Sequence, residues 1–168
     1  MTEAATKNQI LLARLAVVLV IVLIVAGLVW SGFSTDVRQR IWQNLLDRPF
    51  GPMMFRFILQ PVMAALVALR DGIADARSGR GIYFWTILTN PAERSGRLRE
   101  GLIASARIIL LGLAMDTIYQ LVVLKTFYPG ETAIVALLLA FVPYVLLRGP
   151  FARLAYWWRG EAPANEIR

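Results

Sequence analysis

At 168 residues, 58% of them hydrophobic and with a mean hydropathy of +0.59, the chain is too apolar for an ordinary soluble domain. It contains no cysteine and no histidine, which excludes disulfides and iron–sulfur clusters and removes the commonest ligands of zinc, copper and haem iron. No metal and no cofactor is expected. The net charge of +7 comes from 18 Lys and Arg against 11 Asp and Glu, and the arginines flank apolar runs, so anionic headgroups rather than nucleic acid are the expected partners.

The first element is Ile10 to Trp30, an apolar run interrupted only by Arg14. It is longer than the core of a typical signal peptide and reads as a retained anchor helix. Between Ser31 and Pro52, Val37, Ile41, Trp42 and Leu45 recur at helical spacing, which predicts an interfacial amphipathic helix broken by Pro49 and Pro52. Phe57 to Leu69 is uncharged but short. Gln60-Pro61 would suit a helix start, so residues 57–77 form either a half-buried embedded helix or, starting earlier at Met53, a crossing one.

Tyr83, Phe84 and Trp85 are adjacent in the next segment and suit the headgroup level, with Tyr83 and Trp85 as interfacial anchors. Asn90-Pro91-Ala92-Glu93 carries a capping residue, a proline and an acid in the order that opens a helix. One long helix is expected over 91–127, with its span at 101–124. Tyr128 to Glu131 reads as a tight turn, 131–148 as the return span bent by Pro143, and Gly149-Pro150 as its stop. Residues 151–159 mix Arg153 and Arg159 with Trp157 and Trp158, which reads as a second interfacial anchor. The tail beyond Gly160 is expected to be loose. The fold class is therefore an all-α polytopic membrane protein in one domain, with three clear spans and one short embedded or spanning helix.

Two topologies fit this pattern. Four spans put the amino terminus on the same side as 70–100; three spans put it opposite. Both place 70–100 and the carboxyl terminus in the cytoplasm under the positive-inside rule, because Arg70, Arg77, Arg80, Arg94, Arg97 and Arg99 crowd one segment.

Asp116 is the residue that composition alone does not explain. A carboxylate at the centre of a span costs roughly 2.5–3.5 kcal/mol even on insertion-based scales, so it needs a partner, a proton or a wet cavity. At about 100° per residue, Gly101, Ser105, Gly112, Asp116, Tyr119 and Gln120 lie within about 60° of one line, and the leucines, including Leu110, Leu111, Leu113 and Leu121, lie off it. Such a small and polar stripe faces other helices. Gln60 and Arg56 could meet Asp116 if 53–69 spans; otherwise Tyr144 or another subunit could. Asp116 then either fixes helix–helix register, with Tyr119 and Gln120 as interhelical contacts, or lines a proton or cation path.

Arg70, Asp71, Asp75 and Arg77 read as a solvated, self-paired helix end rather than an acid–base or Mg²⁺ site. Arg94, Arg97, Arg99, Arg153 and Arg159 are candidate headgroup contacts. The sequence contains no P-loop, nucleophile-elbow, HExxH or CxxC pattern, so no enzyme signature is present.

Gln60-Pro61-Val62-Met63-Ala64-Ala65, Arg70-Asp71-Gly72, Asp75-Ala76-Arg77, Asp116-Thr117-Ile118-Tyr119-Gln120, Phe127-Tyr128-Pro129-Gly130-Glu131 and Pro143-Tyr144 with Arg148-Gly149-Pro150 stand out together. On these stretches the chain from Phe57 to Trp158 resembles a group of small bacterial inner-membrane proteins, to which the first span would be an addition. The resemblance implies a bacterial, helical membrane protein and carries no activity with it. The expectation is a non-enzymatic membrane subunit or scaffold, a homo-oligomer or part of a larger complex, with an ion- or proton-conducting oligomer as the alternative.

Overall fold

The computed structural model describes residues 5–31, 39, 42, 43 and 54–160. Helix α1 covers Lys7–Ser31. Its start is fixed by a reciprocal cap: Gln9 N donates to Thr6 Oγ1 and Thr6 N donates to the Gln9 side chain. Helix α2 covers Phe55–Arg77, α3 Tyr83–Thr89, α4 Pro91–Tyr119 and α5 Pro129–Arg159. Helix α4 opens where the capping pattern predicts. Ala92 N donates to Asn90 Oδ1 at 3.2 Å, and the Asn90 amide donates to Glu93 at 2.9 Å. It closes in a π-helical turn, Gln120–Leu124, followed by Lys125 in the left-handed region at φ 55°.

Four of these helices, α1, α2, α4 with its π turn, and α5, are long and apolar enough to cross a membrane. The 57–77 segment is therefore a full-length helix that begins at Phe55 and carries Pro61 inside it. The proline is no start signal here, because the helix was already under way two turns earlier. Nor do Gly149 and Pro150 stop the last helix, which runs on to Arg159. The expected return span and interfacial segment are one element. The amphipathic helix expected in the first connector, and the tail, fall mostly or wholly outside the described residues.

Helix directions follow from three contacts. Gly27, near the end of α1, lies against Gly130 at the start of α5, so close that a Cβ on Gly27 would stand 2.6 Å from the Gly130 backbone. Arg56 at the start of α2 pairs with Asp116 near the end of α4. Asp75 at the end of α2 pairs with Arg97 near the start of α4 and with Arg148 late in α5. Helices α1 and α4 therefore run one way and α2 and α5 the other. This places Lys7 at the same end as Arg77, Arg97 and Arg159, which is the four-span arrangement and not the three-span one.

Packing is closest between α2 and α5. On α2 the buried positions include Arg56, Gln60, Ala64, Ala68, Gly72 and Ala76, each four residues from the last. Helix α5 answers with Thr132, Ala136, Ala140, Tyr144, Arg148, Ala152 and Tyr156 at the same spacing. A four-residue repeat drifts about 40° per step around a helix of 3.6 residues per turn. The α2 ladder accordingly begins against α4, at Asp116 and Gly112, and ends against α5, where Gly72 lies on the backbone at Arg148 and Ala152. Alanine and glycine in the middle of both ladders let the backbones approach, as small residues do where dispersion drives helix association.

Candidate functional site

Two buried polar networks hold the bundle, one at each end. The first surrounds Asp116. Arg56 Nη2 donates to Asp116 Oδ1 at 2.5 Å, and Gln120 Nε2 donates to Oδ2 at 2.6 Å. The same Gln120 nitrogen donates to Thr132 Oγ1 at 3.0 Å, while Gln120 Oε1 accepts from Tyr128 N at 2.6 Å. One amide thus ties α4, its π turn, the connecting loop and α5 together. The π turn lies at this polar cluster, as such turns often lie at irregular or functional positions. The Arg56 guanidinium also sits 5.2 Å from the ring of Phe57 and 5.1 Å from that of Tyr119. Those π faces offset part of its desolvation, since Arg56 Nη1 has no hydrogen-bond partner among the described residues.

The second network centres on Asp75, about 28 Å away along α4 if counted as the 19 residues from Arg97 to Asp116 at 1.5 Å each. Asp75 accepts from Arg148 Nε at 2.7 Å and Nη2 at 3.0 Å, and from Arg97 Nη1 at 3.3 Å. Glu100 adds contacts to Arg80 at 3.2 Å and to Arg148 at 3.4 Å. Arg148 Nη1 donates to the Tyr144 hydroxyl at 2.6 Å, which donates in turn to Asp71 at 2.7 Å. Three arginines face three carboxylates, so the cluster is close to neutral. Beneath it Tyr83 donates to the Arg97 carbonyl at 2.7 Å, and its ring lies 4.2 Å from the Arg148 guanidinium carbon. Arg80, Gly81, Glu93, Gly96, Arg97 and Glu100 line an open depression of about 400 Å³ at the edge.

The chain matches no known family, curated protein or solved structure. The two networks must be read from their own chemistry.

Among the described residues there is no cluster of three or more His, Cys, Asp or Glu able to hold a metal ion. Asp116, Tyr119, Gln120, Gln60 and Arg56 are all buried, as their reading as interhelical contacts requires. All of them point into this chain, however, which leaves no part of that polar face for a partner. Leu113, expected off the stripe, is buried beside it. Tyr144 belongs to the Asp75 network and not to Asp116.

Other expectations change sign. Tyr83 is fully buried and so anchors nothing at a headgroup level, whereas Trp85, Trp157 and Trp158 are exposed. Arg97 is buried against Asp75 instead of facing headgroups. Arg94 spends two donors on the Ile87 and Leu88 carbonyls, capping α3. Arg99, Arg153 and Arg159 remain exposed. Asp75 is no solvated helix end: it is buried, and Arg97 and Arg148 reach it from other helices. The facing pairs Asp71/Asp75 on α2 and Tyr144/Arg148 on α5, both at i,i+4, are the signal that identifies this network.

Burial pushes the Tyr83 phenol up from 10.0 to about 12, against the opposing pull of Arg148. The folded state therefore holds this proton more tightly than the unfolded chain does. The contribution is fully present below pH 10 and is lost as pH rises through about 12, worth about 2–3 kcal/mol at most. Tyr83→Phe should flatten the decline in melting temperature over that window. Below pH 10 it should cost only about 1 kcal/mol, for the lost hydrogen bond.

Proposed function

We propose that the chain is a small integral membrane scaffold or accessory subunit of a larger complex, with no enzymatic or transport chemistry of its own. The observation that carries this reading is the separation of the two networks. Between them the facing helices present Ala64, Ala68, Ala136 and Ala140, all buried and apolar. The hydroxyl of Ser105, at the same depth, is consumed by the Gly101 carbonyl at 2.7 Å. Among the described residues no chain of polar side chains links Asp116 to Asp75 through the interior, which supports a reading without a proton or cation relay. In this reading the charges fix the arrangement of α2, α4 and α5 and do not move anything across them.

The separation of about 28 Å also matches a hydrocarbon core of about 30 Å, so each network would sit near one membrane face. Asp116 then lies toward one end of its span and not at its centre. The end holding Arg70, Arg77, Arg80, Arg94, Arg97 and Arg99 would face the cytoplasm of a bacterial cell across the inner membrane. Anionic headgroups would meet Arg99, Arg153 and Arg159 there.

Reconstituted in proteoliposomes, the protein should give proton and potassium flux no greater than empty vesicles. Extracted gently from native membranes, it should migrate well above its own 18.8 kDa together with other proteins. Flux that vanishes in Asp116→Asn would overturn the scaffold reading in favour of a conducting oligomer.

A further inference from the structure

Arg107 is a cation of α4 that stands between the two networks and belongs to neither. It is exposed, on the face opposite Ser105 and Asp116, and among the described residues it makes no hydrogen bond, ion pair or ring contact. Along the helix it stands ten residues from Arg97 and nine from Asp116, about 15 and 13 Å from the two networks. That is half-way through the slab they bracket. A guanidinium is always charged, and at mid-depth it is costly unless an acceptor reaches it.

Its surroundings form a face suited to a helix. Ala104, Arg107, Leu111, Ala114, Ile118 and Leu121 follow one another at alternating steps of three and four, and all but half-buried Ala104 are exposed. Such a 3.5-residue seam is what left-handed helix pairs use, and Ala114 permits close approach. Among the described residues, a second copy offers no exposed carboxylate at this depth. Asp71, Asp75, Glu100 and Asp116 are engaged in the two networks, and Glu131 is buried at the start of α5. A symmetric pair would instead set Arg107 near Arg107.

We propose that the Arg107 face of α4 docks a transmembrane helix of a different protein, one that presents an Asp or Glu near the bilayer midplane. The proposal rests on the accessory-subunit reading and names the chemistry of its partner. Charge complementarity selects the occupant, and the apolar seam on either side of Arg107 supplies the packing.

The test uses the full chain in native membranes, with a photo-crosslinking side chain placed at Leu111 or Ile118. One membrane protein should be crosslinked, and it should carry an acidic residue inside a span. Arg107→Leu should reduce its co-purification at least tenfold, Arg107→Lys should retain most of it, and replacing the partner's acid by Asn or Gln should reproduce the loss. Because Arg107 has no polar partner among the described residues, each variant should keep the wild-type melting temperature or exceed it in detergent. Crosslinks to a second copy alone, or to lipid alone, would overturn the proposal. So would a partner whose capture is unchanged in a folded Arg107→Leu protein, and that result would leave the accessory-subunit reading standing. Wild-type protein that extracts without any partner would remove both.

Discussion

Asp116→Leu should destabilise the fold by about 3–5 kcal/mol, because it leaves the Arg56 guanidinium buried with no opposite charge. Arg56 is only 2% exposed and Asp116 is fully buried, so water cannot substitute for the lost partner. Arg56→Leu should cost a similar amount for the mirror reason. The double variant Arg56→Leu/Asp116→Leu should recover most of the loss, since an apolar pair of comparable volume carries no desolvation penalty. What it would not recover is the Asp116 acceptor for Gln120, whose other bonds to Thr132 and Tyr128 remain. Denaturant or thermal unfolding in mild detergent reads all three. A double variant no more stable than the singles would mean that the pair is not the partner relation described here.

Asp75→Leu should be the most damaging single change in the opposite network. It strips two buried arginines, Arg97 and Arg148, of their shared carboxylate. Each would be left with Glu100, which is 40% exposed at its side chain and reaches them at 3.6 and 3.4 Å. A loss of at least about 3–5 kcal/mol is expected. Asp75→Asn keeps one acceptor oxygen and should fall between the two. Because Asp75 joins α2 to both α4 and α5, the loss should come with faster proteolysis at the ends of all three helices. A melting curve for Asp75→Leu that overlays wild type would show that Glu100 alone holds the corner.

Much of this architecture was legible in the residues. The long apolar runs fixed α1, α4 and α5 as membrane-length helices, and Asn90-Pro91-Ala92-Glu93 marked the start of α4. The stripe from Gly101 to Gln120 identified a buried face because small and polar side chains share one line there. Helix α2 was harder to read because its uncharged core is short. Its true length includes Arg56 and Asp75, whose charges look prohibitive until their partners on other helices are known. Pro61 and Pro150 misled in the same way, since membrane helices tolerate prolines that would end soluble ones. Tyr83 reads as interfacial beside Phe84 and Trp85, and only its contacts with other helices, the T-shaped one with Tyr144 at 6.0 Å and the bond to the Arg97 carbonyl, show that it turns inward. The Asp75 network was harder to read: its i,i+4 pairs are visible along each helix, but Asp75 meets Arg97 and Arg148 across 22 and 73 residues, and sequence spacing orders only near neighbours.

The two charged corners act as rigid stops at either end of an apolar belt. A helix that meets a bilayer thinner than its own hydrophobic length can ordinarily tilt or let its flanking residues slide outward. Here Arg56 and Arg148 are locked to acids on neighbouring helices and cannot follow, so the protein should compress or stretch the surrounding lipid instead. Bilayers of short-chain phospholipid should therefore exclude it in favour of those whose thickness suits the belt, which gives this chain a built-in preference for where in a membrane it resides.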